Sequence, residues 1–232
     1  MNLVKPDLLL TGLFCLLGLL SVDVMAHGVD GADAAFMQTS GAGALPTWIY
    51  LGAKHMVTGY DHLLFLFGVI FFLYRLADVA LYVSLFALGH SLTLLAGVLG
   101  DIRINPFLID AIIGLSIVYK ALDNLGAFQR WFGIRPDTRA AVLIFGLCHG
   151  FGLATKLQDF SLSPDGLIGK MLAFNLGVEL GQLCALGLML VLLNAWRAHG
   201  FTPTQAVSAN ALLMMFGFLL TGYQLSGFIL QP

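Results

Sequence analysis

Hydrophobic and polar positions along this 232-residue chain fall into long blocks. They show neither the two-residue alternation of half-buried strands nor the half-polar faces of soluble helices. Apolar stretches run near 55–75, 79–99, 106–122, 140–157, 167–195 and 207–229. Each is close to the roughly 20 residues that carry a helix across about 30 Å of hydrocarbon. The stretch 47–74 is too long for one straight crossing. It predicts an interfacial or half-membrane piece from Trp48 to Thr58, broken around Gly59, with the helix resuming at Asp61. The block 167–195 is long as well, which leaves room for a re-entrant or interfacial turn at its start.

An earlier apolar run is of another kind. Lys5 gives a weakly basic start, Leu8 to Leu20 an apolar core, and Val24-Met25-Ala26 a small-residue cleavage site. Together they predict a secretory signal peptide over residues 1–26, with an uncleaved anchor as the competing reading. The mature chain would then begin His27-Gly28-Val29-Asp30, with residues 27–46 forming a short Gly/Ala-rich extracytoplasmic segment. Residues 47–232 are expected to form an all-α, polytopic bundle of six transmembrane helices after the cleavable signal peptide. Composition agrees: 59% of residues are hydrophobic and 10% charged, against about 25% charged in soluble domains. With 18 Phe, 3 Cys and a net charge of −2, the chain is no soluble enzyme, disordered segment, disulfide scaffold or nucleic-acid binder. Basic residues set the orientation. With the mature N-terminus outside, Arg75, Lys120, Arg130, Arg135, Arg139 and Arg197 fall on the cytoplasmic side, and Lys54, Arg103, Lys156 and Lys170 outside. Both mature ends are therefore expected outside.

Ionisable side chains are costly in hydrocarbon and mark function when they persist there. Four of the six His, His55, His62, His90 and His149, lie within apolar blocks, as does Asp61. Glu179, the sole glutamate, sits in the middle of the fifth block. His55 and His62 are seven residues apart, two turns along one helical face, and unwinding at Gly59 would draw them and Asp61 closer. Asn175, Glu179 and Gln182 form a polar stripe at i, i+4 and i+7. Phe86-Ala87-Leu88-Gly89-His90 and Phe145-Gly146-Leu147-Cys148-His149 repeat as F-x-L-x-H in two spans that run the same way. This places His90 and His149 at similar depth. Imidazole with carboxylate suits a divalent transition metal such as Ni, Co, Zn or Cu rather than calcium or magnesium. The candidate metal set is His55, Asp61, His62, His90, His149 and Glu179, supported by the polar residues Ser91, Asn175 and Gln182. Two weaker candidates are His27, a chelating α-amine and imidazole if cleavage follows Ala26, and Cys148, whose neighbouring position turns it away from His149.

The motif His55-Met-Val-Thr-Gly-Tyr-Asp61-His62, H-x5-D-H, resembles the signature of the HupE/UreJ family of hydrogenase and urease accessory membrane proteins. Phe86–Leu94, Gly114–Tyr119, His149–Ala154 and Phe174–Gln182 are similar, in order, to further blocks of that family. The resemblance implies a nickel or cobalt permease of the bacterial inner membrane, multi-pass, with periplasmic mature termini. A periplasmic metal donor or metalloenzyme maturation proteins would be its partners, besides the lipid bilayer and the transported ion. The chain departs from the family pattern in the fourth span, where one His, His149, stands without a nearby acid. No phosphate-binding GxxxxGK[ST] motif is present, so neither nucleotide nor nucleic acid is an expected partner. Two other classes fit part of the set. One is an intramembrane zinc hydrolase with Glu179 as base; the other is a b-type haem protein ligated by His90 and His149.

Overall fold

The computed structural model describes residues 44–158 and 165–230. The expected signal peptide, His27 and the extracytoplasmic segment up to residue 43 lie outside the described residues. Among the described residues the fold is entirely helical, with eight helices and no strand. They are α1 (Leu45–Thr58), α2 (Tyr60–Ile70), α3 (Leu76–Leu99), α4 (Pro106–Asn124), α5 (Ala127–Phe132), α6 (Thr138–Gln158), α7 (Leu167–Ala198) and α8 (Pro203–Leu230). Four of these, α3, α6, α7 and α8, are long and apolar enough to cross a membrane.

Local chemistry sets several of the boundaries. The Asn105 side chain accepts from the backbone N–H groups of Phe107 and Leu108, and Pro106 occupies the first turn of α4, where its missing N–H is harmless. Thr202 and Gln205 form a reciprocal capping box at the start of α8. Asp137 accepts from the N–H groups of Arg139 and Ala140 ahead of α6. The break between α1 and α2 falls at Gly59, as the sequence predicts; the residue is extended at φ −75°, ψ 91°, and α2 resumes at Tyr60. No re-entrant turn opens the fifth block. The helix α7 is continuous over 32 residues from Leu167 to Ala198, with no proline inside.

Three helix pairs build the bundle, and small residues set how closely they approach. The helices α3 and α6 run parallel: Gly146 lies against the Phe86 backbone, Gly150 against His90 and Thr93, and Gly97 against Ala154. The Thr93 hydroxyl donates across this pair to the Leu147 carbonyl at 2.7 Å. The helices α4 and α8 run antiparallel, with Gly114 against Gly217 and Thr221, and Gly227 against Phe107. In the third pair α1 lies parallel to α7: Leu45 reaches Gly169, the Ile49 backbone meets Gly177, and the Ala53 backbone meets Gly181. Further along, Arg197 at the end of α7 donates to the Phe71 and Leu73 carbonyls beyond α2. The broken helix α1–α2 therefore follows α7 along most of its length.

The polarity of the bundle is inverted relative to a soluble protein. Leu81, Leu88 and Leu92 on α3, and Leu172, Leu176, Leu180 and Leu188 on α7, are exposed, whereas His62, His90, His149 and Gln182 are fully buried. An apolar exterior around a polar interior is the arrangement that lipid selects. The central helix α2 buries nine of its 11 residues, and it carries Asp61 and His62 into the middle of the bundle.

Candidate metal centre

Four helices deliver the imidazoles. His55 occupies the last turn of α1, and Asp61 and His62 the first turn of α2, so the break at Gly59 turns two helix ends toward each other. A glycine is needed there, because a Cβ would stand 2.8 Å from His62 Nδ1 and 3.1 Å from the His55 carbonyl oxygen. His90 and His149 come from the parallel pair α3–α6, each as the last residue of its copy of the F-x-L-x-H repeat. His62 is the hub: its ring centroid is 4.7 Å from that of His149, 5.3 Å from His55 and 6.2 Å from His90. Ligand nitrogens of His55, His62 and His90 all lie within 4.8 Å of one another, close enough to hold one metal ion.

Hydrogen bonds orient the rings. Asp61 Oδ1 accepts from the His62 backbone N–H and lies 2.8 Å from His62 Nδ1. A proton on Nδ1 shared with that carboxylate directs the lone pair of Nε2 to the cluster and raises its basicity. His149 Nδ1 is likewise 2.7 Å from the Phe145 carbonyl oxygen one turn earlier. Aromatic rings wall the cluster. Phe86 stacks on His90 at 6.2 Å, Phe65 lies 5.8 Å from His149, and Phe174 lies 5.8 Å from His55. Such a shell keeps the imidazoles apart from lipid and fixes the ring positions, which holds the ligand set in place.

Residues 31–232 match the family described as HupE / UreJ protein, which covers most of the chain. The chain belongs to the HupE/UreJ family. No curated protein matches it, and no solved structure does.

The remaining candidates of this HupE/UreJ protein have their own surroundings. Glu179 is only part-buried, and its Oε1 accepts from the Ser84 hydroxyl at 3.3 Å, six residues before His90 on α3. Asn175 and Gln182 are buried on the same stripe of α7, and neither amide has a hydrogen-bond partner among the described residues. Ser91 is half-buried one position on from His90, hence on another face of α3. Cys148 is a half-buried free thiol beside His149. His27 lies outside the described residues.

Sequence reasoning missed a buried ion pair. Lys156 Nζ lies 2.9 Å from Asp110 Oδ2, with side chains 20% and 5% exposed. Lys170, placed above among the outer basic residues, is fully buried with its ammonium 5.9 Å from the Trp48 ring centre. The available signal was charge inside an apolar block: Asp110 in 106–122, and Lys156 and Lys170 at the ends of 140–157 and 167–195. Phe86 and Phe174 were missed as walls of the cluster, although the repeat places Phe86 one turn before His90 on the same face.

Proposed function

We propose that this HupE/UreJ protein is a permease for a divalent transition metal, nickel or cobalt, with His55, His62, His90 and His149 as its intramembrane ligands and Asp61 as the orienting carboxylate. In this reading α1–α2, α3, α4, α6, α7 and α8 make six crossings of the bacterial inner membrane after a cleaved signal peptide. The mature ends are periplasmic, and the cargo is passed on to metalloenzyme maturation. The observation that carries the proposal is the convergence of three imidazoles within 4.8 Å at a helix break inside the bundle. Broken helices at membrane depth are how carriers expose polar groups to an ion without opening the bundle to lipid. Neutral imidazoles replace the hydration shell, and Asp61 offsets part of the double charge. Protons compete for the same nitrogens, so uptake weakens in acid.

The alternatives fare less well against the geometry. A haem between His90 and His149 needs an empty plane there, but the His62 ring is 4.7 Å and the Phe86 ring 4.9 Å from His149. A zinc hydrolase would need Glu179 at the metal-bound water, whereas that carboxylate accepts from Ser84 on the α3–α7 seam. The test is elemental analysis and uptake on purified protein, wild type beside His62→Ala/His149→Ala. About one Ni or Co per chain, lost in the variant together with uptake into proteoliposomes, is the expected result. No metal in either protein after loading at neutral pH would overturn the proposal.

A further inference from the structure

The helix α7 presents two different faces. Gly177 and Gly181 pack against the α1 backbone at Ile49 and Ala53, and that side is closed by direct helix contact. The stripe Asn175, Glu179 and Gln182 lies on another side of the helix, and from it Glu179 Oε1 accepts from the Ser84 hydroxyl of α3 at 3.3 Å. One helical stripe at i, i+4 and i+7 brings these three side chains within reach of each other. Asn175 and Gln182 are 8% and 0% exposed, and all four of their amide atoms are buried with no hydrogen-bond partner among the described residues. Buried amides are normally paired, so a lane of unpaired ones beside a carboxylate is shaped for something that is not protein.

From these positions we infer a second cation station on the α3–α7 seam, built from the oxygens of Glu179, Ser84, Asn175 and Gln182, which receives the transition-metal ion leaving the imidazole cluster. The inference rests on the permease reading above. Ser84 lies six residues before His90, about 9 Å along α3, toward the end that carries Arg75. That end is the cytoplasmic one in the proposed orientation, so the station lies on the exit side. Its donors are a carboxylate, amide carbonyls and a hydroxyl, which hold nickel or cobalt less firmly than imidazole does. A path that ends on weaker ligands releases its ion, as conduction through serial sites requires. The mobile charge meets the sole glutamate of the chain at the point where it leaves the His set.

The experiment uses the full-length protein and Ni²⁺ alone, with equilibrium binding measured in detergent and initial uptake in proteoliposomes. Glu179→Gln is expected to keep the Ni²⁺ held at the imidazole cluster while uptake falls about tenfold, equivalent to about 1.4 kcal/mol on the barrier. Glu179→Asp, which keeps the charge, should recover much of the rate. Gln182→Leu removes an unpaired amide without adding bulk, and a parallel loss of uptake is expected even if Glu179→Gln fails to fold. Wild-type uptake by Glu179→Gln and Gln182→Leu would overturn the station and leave the permease standing. Loss of bound Ni²⁺ from a Glu179→Gln protein that melts like wild type would also overturn it, by placing Glu179 in the imidazole site. Absence of both binding and uptake in the wild type would refute the underlying permease reading instead.

Discussion

The parallel pair α3–α6 makes a sharp prediction at Gly146. A Cβ there would stand 2.5 Å from the Phe86 carbonyl oxygen and 3.2 Å from Phe86 Cα. Real Cβ atoms stay beyond 3.0 Å and ordinarily beyond 3.4 Å, so Gly146→Ala must push the backbones apart by about 0.5–0.9 Å. The obstruction is main chain, which cannot swing aside as a side chain would. Overpacking of this kind costs about 1–3 kcal/mol. At about 2–4 °C per kcal/mol for a chain of this size, the melting temperature should fall by several degrees. The displaced backbone carries Phe86, which stacks on His90 and lies 4.9 Å from His149. Metal sites tolerate ligand displacements of about 0.2 Å, so Ni²⁺ affinity should fall about tenfold or more, like that of variants in residues supporting metal ligands. Gly187→Ala is the control: nothing lies within 4 Å of its would-be Cβ, and alanine should stabilise the helix by up to about 1 kcal/mol. Thermal unfolding in detergent and Ni²⁺ titration read both effects. A Gly146→Ala protein that melts and binds like wild type would refute the close-packed α3–α6 geometry.

Three further outcomes are expected. Asp61→Asn should reach the membrane at wild-type level yet lose metal uptake, since the amide no longer draws the Nδ1 proton of His62; uptake assays with an expression blot check it. Lys156→Met should destabilise by about 3–5 kcal/mol, because it leaves a carboxylate 5% exposed without its ammonium, while Asp110→Asn/Lys156→Met should cost markedly less; a double-mutant cycle by thermal unfolding measures the difference. Arg197→Ala should cost about 1–3 kcal/mol by stripping the donor from the Phe71 and Leu73 carbonyls. Arg197→Lys should rescue only part of that, as a single ammonium cannot serve both carbonyls with the fork geometry of a guanidinium.

The extent to which all this is readable from sequence depends on the period of the signal. Blocks of apolar residues identify α3, α6, α7 and α8 within a few residues, because length and hydropathy are local properties. The break at Gly59 was legible for the same reason: too many apolar residues for one crossing, with a glycine between His55 and Asp61. The F-x-L-x-H repeat linked His90 and His149, since the same four-residue spacing from Phe to His recurs on two helices that run the same way and needs no knowledge of the loops. The pair Asp110 and Lys156 was not legible. These residues are 46 apart in the chain, and which face of α4 meets which face of α6 is decided by packing at Gly152, not by either helix alone. Glu179 shows the other limit. Its stripe was visible, but whether the stripe turned toward the imidazoles or toward Ser84 depended on Gly177 and Gly181 committing their side of α7 to α1.

Charge accounting connects the two polar zones. The imidazole cluster contains one carboxylate, Asp61, already engaged with His62. On the permease reading, a divalent ion held by neutral imidazoles therefore leaves a net positive charge in a low-dielectric interior, where it is poorly screened. That excess favours movement toward the next carboxylate, Glu179 at the α3–α7 seam, which lies on the exit side in the proposed orientation. Adding a carboxylate at the end of the station nearer the cluster should therefore hold the ion back. Replacing Asn175 by Asp adds a negative charge to the station one turn before Glu179, next in sequence to Phe174, whose ring lies beside His55. Asn175→Asp should bind Ni²⁺ more tightly and transport it more slowly than wild type. Faster uptake together with tighter binding would show that capture, not release, limits the rate, and would reverse the assigned order of the two zones.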